Sequence, residues 1–198
     1  MSHKRKCFNI YKDLLCSRSP YFAASHKNCW NGSSNEVYLD ADATAFGQFT
    51  NWIFRDTIPA VDLSSCEGLA EVAAFYKLAD FLLVNELCNS IMDAIIKYLK
   101  DNNWDLNFFS LSFLSEQNLR TTPFYKLVLR NSVRRFIKGP ELFEEGATDD
   151  MQFLMDKPDL LLEILQGVRD FNKKPYDQVW KCNRCTYHEH TESTICVA

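Results

Sequence analysis

Phe8-Asn-Ile-Tyr-Lys-Asp-Leu-Leu-Cys-Ser-Arg-Ser-Pro-Tyr-Phe22 is the stretch on which the reading of this chain turns. Phe8 to Lys12 alternates apolar and polar residues, as a short half-buried strand does. Asp13 to Cys16 then reads as a brief helix. Ser19 and Pro20 open a second helix: the Ser hydroxyl suits the N-cap, and Pro at the first helical position lacks only an N–H that would have no intrahelical partner.

Working outward, Asn31-Gly32 predicts an exposed turn, and Glu36-Val-Tyr-Leu-Asp40 a second short strand. Asp42 is placed to cap a helix over about 43–55, with Phe46, Phe49, Trp52 and Ile53 on its inner side. Thr57-Ile-Pro59 ends that unit, because the residue before Pro avoids helical angles. Ser64 or Ser65 caps the next helix, along which Leu69, Val72, Ala73, Tyr76 and Leu83 follow a helical period. From Asn85, Leu87, Ile91, Ile95 and Tyr98 form one stripe and Cys88, Met92, Ile96 and Leu99 a second beside it. So wide an apolar face predicts a helix packed on two sides. The pattern weakens after Asp101-Asn-Asn103. Phe108–Phe113 is compatible with helix or strand. Phe124–Lys138 is amphipathic, with Val128, Leu129, Val133, Phe136 and Ile137 expected inside. A last helix is expected over about Pro158 to Asp170.

The bulk numbers agree with a folded, helix-rich protein. Among 198 residues, 46% are apolar and fifteen are Phe, which excludes a disordered chain, and only six Gly and six Pro disfavour a turn-rich β-sandwich. A net charge of −4 gives no global reason to expect nucleic-acid binding. The charge is uneven: residues 1–27 hold six Lys/Arg against Asp13, and Glu141–Asp150 holds five acids. Lys126, Arg130, Arg134 and Lys138 recur at every fourth position. Such runs read as solvated faces. No stretch approaches the ~20 apolar residues of a membrane span, and no signal-peptide run opens the chain. Cytoplasm or nucleus is the expected location, with the eight Cys reduced or bound to metal.

The order strand, short helix, strand, then several helices is that of the BTB/POZ family, and the wording is similar as well. Phe8-x-Ile10-Tyr-Lys-x-Leu14-Leu-x-x-x-Ser19-Pro-x-Phe22 resembles its F-x-V-H-K-x-L-L-x-x-x-S-P-x-F signature. Val37-x-Leu39-x-x-Asp42-x-x-x-Phe46, Asn51-Trp-Ile-Phe-Arg-Asp-Thr-Ile58 and Leu78-Ala-Asp-Phe-Leu-Leu-Val-Asn-Glu-Leu87 resemble three further elements in the same order. The resemblance covers residues 8–100 and is greatest to the fungal BTB proteins.

It implies an α+β, mostly helical fold: a BTB/POZ-like domain of short strands and a helical cluster over 1–102, a helical extension over 103–175, and a Cys/His tail over 176–198. It also implies a strand before Phe8. Residues 1–7 are too polar to make one, so the chain is expected to be shortened at its front, and the family's strand-exchanged homodimer is not expected.

Trp180-Lys-Cys182-Asn-Arg-Cys185-Thr-Tyr-His188-Glu-His190, followed by Cys196, is the one metal-like cluster. Cys-x-x-Cys delivers two thiolates to one zinc from a tight turn, and a tetrahedral site needs two more N or S ligands. Cys182, Cys185, Cys196 and one His, either His188 or His190, would make a closed, structural set. A metal-free tail is the alternative. No cofactor is otherwise required.

The chain carries no Gly-rich phosphate loop, no Gly-x-Ser-x-Gly elbow and no His-Glu-x-x-His helix, so no enzyme is expected. The resemblance implies a non-enzymatic adaptor that binds other proteins, in this family often a cullin-3 ubiquitin ligase, through the helix end at Phe54 and the loop at Ile58 and Pro59. No hydrophobic-x-Glu motif stands there. The alternatives are a nuclear, transcription-related regulator acting through the tail or the basic stripe, and a shortened gene product with reduced activity.

Overall fold

A computed structural model describes residues 6–29, 36–103, 106–138, 148–173 and 184–190. Among them are nine α-helices and no strand, so the expected α+β class is corrected to an all-helical one. The alternation at Phe8–Tyr11 reflects burial of one side only. Phe8 packs its ring on Phe46, with centroids 4.9 Å apart, so a helix supplies the cover that a sheet was expected to supply. A period-two pattern reports sidedness, whereas a strand also needs a neighbour to receive its backbone groups. Residues 36–40 are likewise irregular, with Tyr38 exposed. The chain divides into two compact units, Met1–Ala94 and Ile95–Ala198.

In the first unit α1 (Lys12–Arg18) and α2 (Pro20–Cys29) form a tight corner. Ser19 at its apex is fully buried. α3 (Ala43–Arg55) starts at the expected cap, where the Asp42 carboxylate accepts from the Thr44 and Ala45 amides at 2.9 and 2.8 Å. α4 (Cys66–Phe81) starts at Ser65, whose Oγ accepts from the Gly68 amide at 3.0 Å. α3 packs on α4, and α1 on both α2 and α3. Leu15, Phe22, Phe49, Trp52, Phe75 and Tyr76 build the core, each large side chain contributing roughly 1.5–3 kcal/mol on burial. Phe46, expected inside, is half-buried.

α4 ends in a turn where the Val84 amide bonds the Ala79 carbonyl and the Leu83 amide the Asp80 carbonyl, each at 3.0 Å. Leu83 sits there at φ 58°, the left-handed position that this motif usually gives to Gly. α5 (Asn85–Asp101) follows. Leu87, Cys88, Ile91, Met92, Ile95 and Leu99 of the predicted double stripe are buried along it, while Ile96 and Tyr98 are half-buried.

The second unit holds α6 (Phe108–Glu116), α7 (Pro123–Lys138), α8 (Thr148–Met155) and α9 (Pro158–Lys173). Phe108–Phe113 is therefore helical, capped by Asn107, which accepts from the Ser110 amide at 3.0 Å. α7 packs between α6 and α9. Its inner face is Phe124, Leu127, Val128, Asn131, Ser132 and Val133, whereas the predicted Ile137 is exposed. Two neighbours rotate the buried face away from the stripe that a one-sided helix would show. At the α7–α9 crossing, a Cβ on Gly167 would lie 2.4 Å from Val133 Cγ2, so only glycine admits this approach.

Candidate interaction site

The residues singled out for partner binding lie at and beyond the C-terminal end of α3. Phe54, in the last turn of that helix, is half exposed at 50%. The helix stops at Asp56, which takes φ 51° and ties the stop to α1: Arg18 bonds its carboxylate at 2.7 Å. The same guanidinium lies 5.1 Å over the Trp52 ring and 3.9 Å from Glu86. A loop through Ile58, Pro59, Ala60 and Val61 then leads to α4. With Gln48 of α3, Val72 and Phe75 of α4 and Ile91 of α5, this loop lines a cleft of about 50 Å³. That is far below the roughly 300–1,000 Å³ of small-molecule pockets, and suits the end of one side chain.

The loop is held by short-range contacts. The Asp62 carboxylate accepts from the Ser64 amide at 2.9 Å and from the Ser64 hydroxyl at 2.6 Å. A Cβ on Gly68 would stand 2.3 Å from the Asp62 carbonyl oxygen, so the loop lies directly against the first turn of α4. Glycine in the first turn of an otherwise regular helix was the available signal for this approach. Gln48 was not singled out. Its Oε1 is buried at the cleft with no hydrogen-bond partner among the described residues. Asp62 and Glu71 bring two carboxylates to the lining, which contains no Lys, Arg or His.

The basic stripe of α7 is partly engaged. The Arg130 guanidinium lies 5.6 Å over the ring of the buried Tyr187. Lys126 and Lys138 are exposed, and Arg134 is half-buried. Residues 139–147, which carry most of the acids near this helix, lie outside the described residues.

Tyr187 holds the tail turn Arg184–Thr186, which contains Cys185. His188 and His190 have ring centroids 6.1 Å apart. Cys182 and Cys196 lie outside the described residues, and among the described residues no three His, Cys, Asp or Glu side chains form a metal-binding group. The Cys185 and His188 donors have the N/S chemistry that zinc takes, but they do not complete a site by themselves.

Two polar clusters brace the second unit. The Tyr125 hydroxyl donates to the Glu163 carboxylate, which also pairs with Arg120 at 3.2 Å; burial and then Glu163 push the Tyr125 pKa well up. Lys157 Nζ donates at 2.6 Å to both Ser112 Oγ and Glu116 Oε1, and Ser112 Oγ donates to the same carboxylate at 3.1 Å; the bonds from Lys157 and then Ser112 hold the Glu116 pKa below its ordinary value.

Among the described residues no helix is long and apolar enough to cross a membrane. No family model, no curated protein and no solved structure matches this chain.

Proposed function

We propose that this chain is a non-enzymatic protein-interaction module of the adaptor kind, and that cullin-3 is its partner. The observation that carries the proposal is Phe54, a large aromatic left half exposed at the end of α3, just before a loop pinned in place at both ends. A rigidly presented aromatic anchor is the usual centre of a protein interface. Ile58 is half-buried and Pro59 exposed on that loop, so both offer apolar surface without losing their hold on the fold. The sequence resemblance to BTB adaptors points to the same residues and supplies the identity of the partner.

Calorimetric titration of the purified chain with the cullin-3 N-terminal domain tests this. Binding at micromolar affinity or tighter is expected, weakened about tenfold or more by Phe54→Ala and by Ile58→Asp, as for hot-spot residues. Absence of binding, or equal binding by both variants, rejects the assignment.

A further inference from the structure

We propose that the outer flank of α9 is a pairing surface for a second copy of this chain, with the two α9 helices antiparallel across a two-fold axis. The pairing goes beyond the adaptor reading and uses none of its residues. α9 turns Leu160 and Ile164 inward, and its Gly167 meets Val133 of α7. Leu161, Leu162, Leu165 and Val168 follow the spacing i, i+1, i+4, i+7. That spacing gathers them on a stripe about 120° wide, roughly 130° round the helix from the inner face. Leu162 and Leu165 are 56% and 46% exposed, with Leu161 and Val168 half-buried beside them. A helix apolar on two faces is suited to cover on both. Here the second face stays open.

The charges at the ends of the stripe select its occupant. Asp159 stands in the first turn of α9 and Lys173 in the last, both exposed and both bordering the stripe on the same side. Between them Arg169 lies 3.8 Å from its neighbour Asp170, and Glu163 is taken up by Tyr125 and Arg120, so the two ends differ in sign. An antiparallel copy centred near Gln166 sets Asp159 of each chain against Lys173 of the other, the reciprocal pattern of a two-fold interface. It also opposes the two helix dipoles and brings Leu165 of both copies beside the axis. A parallel copy would put Asp159 on Asp159 and Lys173 on Lys173. A membrane surface calls for a polar face rich in Lys and Arg, whereas Asp159, Glu163 and Asp170 here outweigh Arg169 and Lys173.

The test is sedimentation equilibrium of the full chain from about 5 to 500 μM, since a single helix pair is expected to dissociate at roughly 10–100 μM, more weakly than interfaces of standard size. A reversible monomer–dimer equilibrium is expected. Leu165→Asp should abolish it while the melting temperature changes little, because the position is half exposed. Asp159→Lys and Lys173→Glu, both at exposed ends, should each weaken the dimer about fivefold, since either one sets two like-charged pairs across the interface. The double variant Asp159→Lys/Lys173→Glu should return to the starting affinity. Monomer at every concentration, whether the stripe stays bare or serves a different protein, overturns the proposal. So does a dimer that survives Leu165→Asp, or charge variants that do not restore each other in the double. No cullin enters these runs, so their result stands apart from the adaptor assignment.

Discussion

The Ser19 hydroxyl donates a 2.9 Å hydrogen bond to the carbonyl of Leu82, 63 residues further along the chain. The same oxygen accepts from the Phe22 amide at 3.4 Å. One buried side chain thus caps α2 and ties the α1–α2 corner to the end of α4. Nearby, the ring of Tyr21 meets that of Phe81 at 4.8 Å and reinforces the junction.

Ser19→Ala removes both bonds inside a dry site, where an unsatisfied polar group costs about 1–3 kcal/mol. The urea midpoint is expected to fall accordingly with the slope unchanged. An unaltered midpoint would show that Leu82 has another donor.

Leu83→Gly is expected to stabilise the chain. Leu83 is 58% exposed, so little burial is lost, while its left-handed backbone carries a strain of about 1 kcal/mol that glycine does not. The melting temperature should rise by roughly 2–4 °C. A lower melting temperature would mean that the Leu83 side chain contributes more than its exposure indicates.

At the α7–α9 crossing, Gly167→Ala forces a methyl to within 2.4 Å of Val133 Cγ2 unless the helices separate. A loss of about 1–3 kcal/mol is expected, as for other overpacked contacts. Val133→Ala should recover part of it, and a double-mutant cycle reads that coupling directly. Strict additivity would place the strain elsewhere.

Acid titration should reveal two carboxyls of opposite sign. Hydrogen bonds from Lys157 and Ser112 lower Glu116 below 4.5, so its contribution to stability is full above that value and is lost as pH falls through the folded pKa. Burial raises Asp80 above 3.8, so in the folded state it binds its proton more tightly, and stability falls as pH rises through its folded pKa. Glu116→Gln should flatten the acid limb. Asp80→Asn should raise stability at neutral pH. Denaturant midpoints across pH 2–7 check both, and a change of the wrong sign in either variant refutes that assignment.

The tail set Cys182, Cys185, Cys196 and His188 is proposed as a structural zinc site. About one equivalent of zinc is expected in chain purified under reducing conditions, lost together when Cys185→Ser is introduced. Less than half an equivalent rejects it.

The sequence by itself determined most helix positions and their caps. Asp42 and Ser65 accept amides where their helices begin, because capping is a local exchange between a side chain and the next turn, whereas the Asn107 cap emerged only with α6, a segment the sequence left open between helix and strand. The wide stripe of α5 was largely legible because a broad buried face leaves a periodic record in the sequence. The Ser19 cap on α2 was legible for the same local reason. Its bond to Leu82 was not, since nothing in a chain marks which carbonyl will arrive from 63 residues away.

What only the tertiary structure decided follows one physical rule. An alternating segment such as Phe8–Tyr11 states which side is buried and not what buries it, and here the cover is the Phe46 ring on a helix. The inner face of α7 depended on two neighbours at once. Phe54, Ile58 and Pro59 could be picked out from the sequence through a family resemblance. The cleft beside them, with Gln48 and Glu71 in its lining, exists only because Gly68 lets the loop settle against α4.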